Sequence, residues 1–320
     1  MIGISAYALM AGLIGQSPDA PPQTVPTQLE DVVVEGRVLD DAARDFVRSV
    51  GDAPPLGALP ARWTKPLCIS VVNLKAPFGQ QMVDGIARTA VDLGLEVGGP
   101  GCASNVLIVG TDDGPQTARY LVDGARDRFR SQVDRANKDL QALSRFQESN
   151  APVRWWHISF PRLRETGQFA GRGGGVRMPG TIAGSDGGGG SNISVVSVGG
   201  ASSLIAPTLR YDIETVTVVV DFSKTEAVSM SALTDYVAMV VLAQVDPRAD
   251  FSGRPTILNL FNASMEVDHF TDWDEDYLRA VYTMDLGRTT PAAHEAMVAR
   301  RLANLQRDRQ RKEVDPLEAN

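Results

Sequence analysis

The chain is poor in the residues that most often carry catalysis. Its 320 residues include only two cysteines and three histidines, and aromatic residues make up 6% of the total. The histidines His157, His269 and His294 are isolated from one another along the chain. The sequence also lacks a Gly-x-Ser-x-Gly motif, so a hydrolase with that nucleophile elbow has no support. Few catalytic classes therefore remain open.

Basic residues are also in the minority. Lysine and arginine number 31 against 39 aspartate and glutamate, which leaves a net charge of −8. Nucleic-acid surfaces need clustered positive charge, so we expect no nucleic-acid partner. The one basic stretch, between Arg300 and Lys312, is interleaved with polar residues and predicts a solvated helix face. A hydrophobic content of 43% is typical of a globular fold.

No apolar run in the sequence is long enough to predict a membrane span in the mature chain. Residues Met1–Gly15 are apolar and uncharged, a length that suits the hydrophobic core of a secretory signal and falls short of the ~20 residues that a spanning helix needs. The segment has no Lys or Arg before the apolar run and no clean small-x-small cleavage site. An apolar N-terminal helix of a cytosolic protein is the alternative. With the proline-rich segment that follows, we predict a signal-like segment and linker over residues 1–28.

The two cysteines, Cys68 and Cys102, each precede a run with the composition of a β-strand. Between the two runs, residues 78–93 carry a helical apolar stripe. The two strands of a strand–helix–strand unit are parallel and usually adjacent, so both thiols should lie at the same edge of the sheet and form a disulfide. A disulfide indicates an oxidising compartment. Together with the signal-like segment, it predicts a periplasmic or secreted protein.

The remaining patterns predict an α/β fold whose second half is α+β. We expect a mixed β-sheet with an N-terminal parallel β-α-β unit, flanking helices and a buried central helix at residues 230–244. One domain should span residues 29–290, followed by a C-terminal helix and frayed tail at 291–320. The β-prone residues 30–37 predict an edge strand. Residues 193–198 and 211–221 predict an antiparallel pair of strands.

Residues 167–191 are dominated by glycine. A run of this composition cannot offset the entropy lost on ordering, so we expect a mobile surface loop within the domain. Long structureless loops are unusual in compact domains. Such a loop is either a functional lid or a tolerated insertion, and the sequence leaves both open.

Two short segments offer candidate ligand-binding side chains. Asp112 and Asp113 follow a predicted parallel strand, at the edge where ligands bind in open α/β sheets. They could hold a cation or a hydroxyl, or Asp113 could cap the next helix. Trp155, Trp156 and His157 could form a ligand wall, or lie in a core strand with a polar tip.

Three stretches of the second half resemble those of uncharacterised secreted proteins of alphaproteobacteria. They are Ser231-Ala-Leu-Thr-Asp-Tyr-Val-Ala-Met239, Ile257-Leu-Asn-Leu-Phe261 and Trp273-Asp-Glu-Asp-Tyr-Leu-Arg-Ala-Val-Tyr282. The order of elements is also similar to zincin-like secreted domains, in which the buried helix carries His-Glu-x-x-His and binds zinc. Here that helix has no histidine, so a zincin-like fold would be degenerate, without its metal site.

Two hypotheses for function follow, and for the first, which we favour, we predict no cofactor. The first is an exported, non-catalytic protein that binds an envelope protein or a small ligand. The second is a metal-dependent hydrolase that uses carboxylates, for which the candidates are Asp221, Asp235 and Asp272, with His269 beside them. The acidic residues near 272 have a structural alternative, because carboxylates at a helix N-terminus favour the helix dipole.

Overall fold

The structure is a computed structural model, and it describes most of the chain from Leu29 to Val314. It falls into two compact units, Met1–Arg37 and Val38–Asn320. The predicted signal-like segment and linker at residues 1–28 lie outside the described residues. The described ranges are 29–51, 61–130, 140–171, 174–177, 192–197, 209–262, 266–284 and 291–314.

The main sheet contains four strands in the spatial order β1-β2-β7-β3. Strands β1, β2 and β7 are parallel, and β3 runs antiparallel to β7. Their near-continuous runs of valine and isoleucine suit strands that are covered on both faces. The predicted mixed α/β fold is therefore confirmed. The strands are β1 Ile69–Val72, β2 Val106–Thr111, β3 Val153–Leu163 and β7 Leu209–Asp221.

The predicted β-α-β unit is present, with helix α2 (Ala76–Asp92) between β1 and β2. The disulfide between Cys68 and Cys102 is also confirmed, with the two Cα atoms 5.8 Å apart. Asn105 reinforces this edge, because its Oδ1 accepts from the Cys68 backbone N–H at 2.7 Å and its Nδ2 donates to the Pro66 carbonyl at 2.9 Å. The disulfide and the asparagine hold the amino ends of β1 and β2 together.

The two faces of the sheet are covered by different sets of helices. Alternate residues of β2 divide between two buried clusters, with Val106 and Ile108 in one and Leu107 and Val109 in the other. The larger cluster includes side chains of α2 and of the buried helix α6, and the smaller one includes side chains of α3 and α5. The helices are α1 Leu29–Val50, α3 Gly114–Gly124, α4 Arg126–Phe129, α5 Leu140–Glu148, α6 Met230–Leu242, α7 Asp272–Thr283 and α8 Pro291–Val314.

Helix α6 is the buried central helix that its composition predicts. Ser229 caps its first turn by accepting the Ala232 backbone N–H at 3.1 Å. The aromatic side chains of Trp63, Tyr282 and Trp155 donate to the carbonyls of Val241, Leu242 and Val245 at 2.9, 2.6 and 3.0 Å. Val241 and Leu242 lie in the last turn of α6, where carbonyls lack a partner within the helix, so the rings supply what a buried helix end requires.

The predicted edge strand at residues 30–37 is wrong, because these residues belong to α1. Valine lowers helix propensity only slightly relative to other residues. Extending an existing helix adds one hydrogen bond per residue without a new nucleation step. Continuity with the helical residues after Asp40 therefore outweighs the local preference for a strand.

Part of the glycine-rich segment is regular structure, which corrects the prediction of a structureless loop. Strands β4 (Ala170–Gly171) and β5 (Gly174–Arg177) pair with β6 (Asn192–Ser197) in the order β4-β6-β5. Glycine backbone groups can enter a ladder without any help from side chains. Residues 172–173 and 178–191 lie outside the described residues.

The predicted antiparallel pairing of residues 193–198 with 211–221 is also wrong. Strand β7 pairs with β2 on one edge and with β3 on the other, so neither edge of β7 is open to β6. Both edge positions go to strands that are rich in apolar residues. Strand β6 pairs instead with the two short strands of the glycine-rich segment.

Helix α7 begins directly after its cap residue, Thr271. Thr271 Oγ1 accepts the Asp274 backbone N–H, and the Asp274 carboxylate accepts the Thr271 backbone N–H in return. This reciprocal pair is a capping box. Among the helices that the structure describes, none combines the length and apolar character needed to cross a bilayer.

Candidate functional site

Side chains from four segments meet where the parallel strands β1, β2 and β7 end. Helix α3, which follows β2, packs on the smaller core, whereas α6, which follows β7, packs in the larger one. The chain therefore leaves these two adjacent strands toward opposite faces of the sheet. In open α/β sheets this arrangement opens a crevice at the carboxyl ends of the strands, where ligands bind. We name this region the strand edge; it comprises Asn73, residues 111–114, Arg154 and residues 221–224.

Asp221 lies at the centre of the strand edge and is 1% exposed. Its carboxylate accepts from Ser223 Oγ at 2.6 Å and from the Gly114 backbone N–H at 3.2 Å, and it pairs with Lys224 Nζ at 2.9 Å. Burial by itself raises the pKa of Asp221, but the hydrogen bonds from Ser223, Lys224 and Gly114 outweigh it and hold the pKa below its usual value. The carboxylate is therefore charged at neutral pH.

Residues 111–113 form the rim above β2. Asp113 accepts the Gln116 backbone N–H at 2.9 Å, which confirms that it caps α3. Thr111 Oγ1 lies 2.8 Å from Thr117 Oγ1 and accepts the Asp113 backbone N–H at 3.1 Å. Asp112 is exposed at the tip of this turn. The rim thus combines one carboxylate that holds the helix with a second that faces solvent.

Arg154, which the sequence reasoning missed, lies directly beneath Gly114 and is 3% exposed. A Cβ atom at Gly114 would lie 2.4 Å from Arg154 Nη2, so glycine is what lets the guanidinium fit. Nη2 donates to the Ala151 carbonyl at 3.2 Å, while Nε and Nη1 have no hydrogen-bond partner among the described residues. Burial lowers the pKa of Arg154, and the charges of Asp221 and Asp113 oppose that effect. The signal in the sequence was a charge inside an otherwise apolar strand.

Trp155 and Trp156 do not form a wall at one surface. They lie on opposite faces of β3, Trp155 in the larger core and Trp156 in the smaller. Their ring N–H groups donate to the carbonyls of Val245 and Phe129, and His157 beside them is 2% exposed. Residues 155–157 therefore belong to a core strand, which was the alternative to a ligand wall.

Three other candidate residues come together at the start of α7, away from the strand edge. Asp235, half-buried on α6, accepts the Phe270 backbone N–H at 3.1 Å, and burial raises its pKa. Exposed His269 lies within electrostatic range of Asp235 and Asp272, and its Nδ1 is 2.5 Å from Asp268 Oδ1, a hydrogen bond that raises the pKa of the ring. Asp272 pairs with Arg309 at 2.7 Å. Asp221 belongs to the other group, so the four candidate residues do not share one cleft.

The acidic residues near the start of α7 are mostly engaged in holding helices. Asp274 is fully buried within the capping box, and Asp276, also buried, binds Arg309 of α8. Within the described ranges, no three side chains of His, Cys, Asp or Glu are grouped so that they could hold a metal ion. Asp274 and Asp276 therefore have structural roles in stabilising helices.

Comparison with known proteins finds no matching family model, no similar curated protein and no similar solved structure. The resemblance to secreted alphaproteobacterial proteins and to degenerate zincin-like domains stays a prediction.

Proposed function

We propose that this chain is an exported protein of the cell envelope that binds a glycan ligand at the strand edge without catalysing a reaction. The observation that carries the proposal is the convergence of Thr111, Asp112, Asp113, Arg154 and Lys224, which come from three separate parts of the sequence, at the carboxyl ends of parallel strands. This is the position in an open α/β sheet at which ligands bind.

A neutral, hydroxylated ligand suits the charges at this edge better than a bare ion. The edge presents carboxylate acceptors at Asp112 and Asp113 and an ammonium donor at Lys224, so neither sign of charge dominates. Hydroxyl groups both donate and accept, and so can bond to each of these. Phe78, in the first turn of α2 next to the end of β1, is 47% exposed and offers an apolar ring for the face of a sugar.

The carboxylates at this edge favour binding over catalysis. A general acid or base works best with a pKa near the working pH. Asp221 has the opposite property, because its hydrogen bonds lower its pKa, and Asp113 is engaged with the helix backbone. Both groups hold the edge in place.

The disulfide supports export. Structural disulfides persist in oxidising compartments and are rare in the cytosol. An alkaline phosphatase fused after residue 320 should be active in cells if the chain is exported. An inactive but intact fusion would contradict export and leave the binding site untouched.

Binding to soluble glycan fragments of the cell envelope, measured by isothermal titration calorimetry, tests the ligand class. Substitution of Asp112 or Phe78 by alanine should weaken binding about 10-fold or more, since each removes a direct contact without disturbing a buried group. Asp92→Ala is the matched control, because Asp92 is an exposed aspartate at the other end of α2. If no fragment binds, or if Asp112→Ala binds like Asp92→Ala, the proposal is wrong.

The second candidate is a hydrolase that uses carboxylates near Asp235. It is favoured by the proximity of His269 to Asp235 and by the raised pKa of the Asp235 carboxyl group, which moves toward the range useful for acid–base chemistry. Metal analysis of the purified protein together with a screen of ester, peptide and glycoside substrates separates the two candidates. Stoichiometric metal, or a turnover that Asp235→Asn abolishes, would favour the hydrolase over the binding protein.

A further inference from the structure

Arg128 is a buried cation for which the described residues supply no counter-charge. It lies in the short helix α4 and is 5% exposed. Its Nε is 3.5 Å from Thr217 Oγ1, at the limit of a hydrogen bond, and both Nη1 and Nη2 have no hydrogen-bond partner among the described residues. No described carboxylate pairs with it, and burial lowers its pKa unopposed.

Phe129, the residue directly after Arg128, lies in an aromatic cluster. It packs against Phe146 and Trp156, with ring centroids 5.4 and 6.5 Å from its own, and all three rings belong to the smaller core. Arginine does not lose its proton under ordinary conditions, so it cannot escape burial by becoming neutral. A buried charge of this kind is normally paired, and an unpaired one calls for a missing partner.

Arg154, on the same side of the sheet, also has two nitrogens without a hydrogen-bond partner among the described residues, but it differs from Arg128 in its electrostatic surroundings. It donates to the Ala151 carbonyl and lies in the field of Asp221 and Asp113. Among the described residues, neither Nη atom of Arg128 has an acceptor, and no carboxylate opposes the effect of burial on its pKa. An anion would satisfy both the charge and the two Nη donors of such a buried guanidinium.

We propose that Arg128 binds an oxyanion, a carboxylate or phosphate group of a ligand, through its two unpartnered Nη atoms. The guanidinium fork presents parallel N–H groups that match the two oxygens of such a group. The Thr217 hydroxyl, which faces Nε, has a proton of its own to donate to the same anion. This site is separate from the strand edge and does not depend on the glycan proposal.

Thermal unfolding in matched salts tests the proposal. At equal ionic strength, phosphate or acetate should raise the midpoint of the wild-type protein by about 2 °C or more relative to chloride, because a ligand that binds only the folded state stabilises it. Phosphate acting alone would indicate a phosphate group, and acetate acting alone a carboxylate. Arg128→Met should abolish the shift. Arg130→Met, which removes an exposed arginine two residues away, should keep it.

Arg128→Lys covers the case in which the methionine variant does not fold. It keeps the charge and the long stem but lacks the fork, so the oxyanion affinity should fall about 10-fold, as expected when a bidentate contact is lost. Equal wild-type midpoints in chloride, phosphate and acetate would overturn the proposal. So would a shift that persists in Arg128→Met.

Discussion

The two faces of the main sheet are built by opposite means. The larger face is covered by α6, whose buried side chains are almost all apolar, and ring N–H and O–H groups satisfy the carbonyls at the end of this helix. The smaller face is covered by α3, α4 and α5 and contains two buried arginines, Arg128 and Arg154, with four unpartnered guanidinium nitrogens between them.

This difference separates stability from recognition. Apolar burial with satisfied polar atoms stabilises a fold without leaving a demand for further partners. Buried cations without counter-charges destabilise the ligand-free protein and favour the binding of a ligand that supplies a negative charge. The larger face is therefore expected to hold the fold together, and the smaller face to respond to ligands.

The sharpest test of the comparison is the same substitution on each face. Leu242 at the end of α6 is fully buried, whereas Leu143 in α5 is 8% exposed. Leu242→Ala should lower the free energy of unfolding by about 4–5 kcal/mol and Leu143→Ala by about 2–3 kcal/mol, because the cavity in the larger core has less room to collapse. Urea unfolding of both variants measures the difference. Equal losses would mean that the two cores contribute alike.

Acid should weaken the larger face through His294. This histidine of α8 is 2% exposed, both ring nitrogens lack hydrogen-bond partners among the described residues, and burial together with the charges of Arg62 and Arg164 lowers its pKa to about 4. Between pH 6.5 and about 4 the unfolded chain binds a proton that the folded chain does not. Stability should therefore fall by up to about 3 kcal/mol as the pH drops through that window, and be fully retained above it.

Two variants test whether this pH effect comes from His294. His294→Leu should lose this part of the pH dependence, while His269→Gln, at an exposed histidine, should keep it. If the unfolding free energies of wild type and His294→Leu change in parallel from pH 7 to pH 4, the histidine does not couple packing of α8 to pH.

The smallest expected effect compares two glycines at close contacts. A Cβ atom at Gly85 of α2 would lie 2.4 Å from Thr234 Cγ2 of α6, and one at Gly114 would lie 2.4 Å from Arg154 Nη2. A β-branched threonine in a helix has little rotamer freedom, whereas an arginine can withdraw its long side chain. Gly85→Ala should cost about 1–2 kcal/mol even after its gain in helix propensity, and Gly114→Ala less. A larger loss at Gly114, measured by thermal unfolding, would show that Arg154 is held rigidly.

Local patterns predicted those parts of the fold that depend on neighbouring residues. The caps Ser229, Asp113 and Thr271 follow from the hydrogen-bonding chemistry of their own side chains within one turn. The disulfide follows from a single strand–helix–strand unit. The antiparallel pairing of the two later strands failed because a distant strand, β3, outcompetes a nearby one for the open edge of β7.

The candidate site was predicted only in part. Asp112 and Asp113 were identified from their position after a strand, and Asp221 as a candidate catalytic carboxylate. Arg154 and Arg128 were not identified, because the local sequence around an arginine is the same whether its head reaches solvent or is buried. Whether the guanidinium head is buried depends on the helices and strands that pack over the arginine.

The sequence alone predicted the mixed α/β class, the disulfide-linked β-α-β unit and the buried helix, because each depends on the period of apolar residues over short distances. The tertiary structure alone decided that β7 lies between β2 and β3 and that Asp221 binds Gly114, 107 residues earlier. It also decided that Arg154 is buried against α3 and that Arg128 within α4 is buried. Burial and charge pairing arise from contacts between distant segments, and no local pattern contains them.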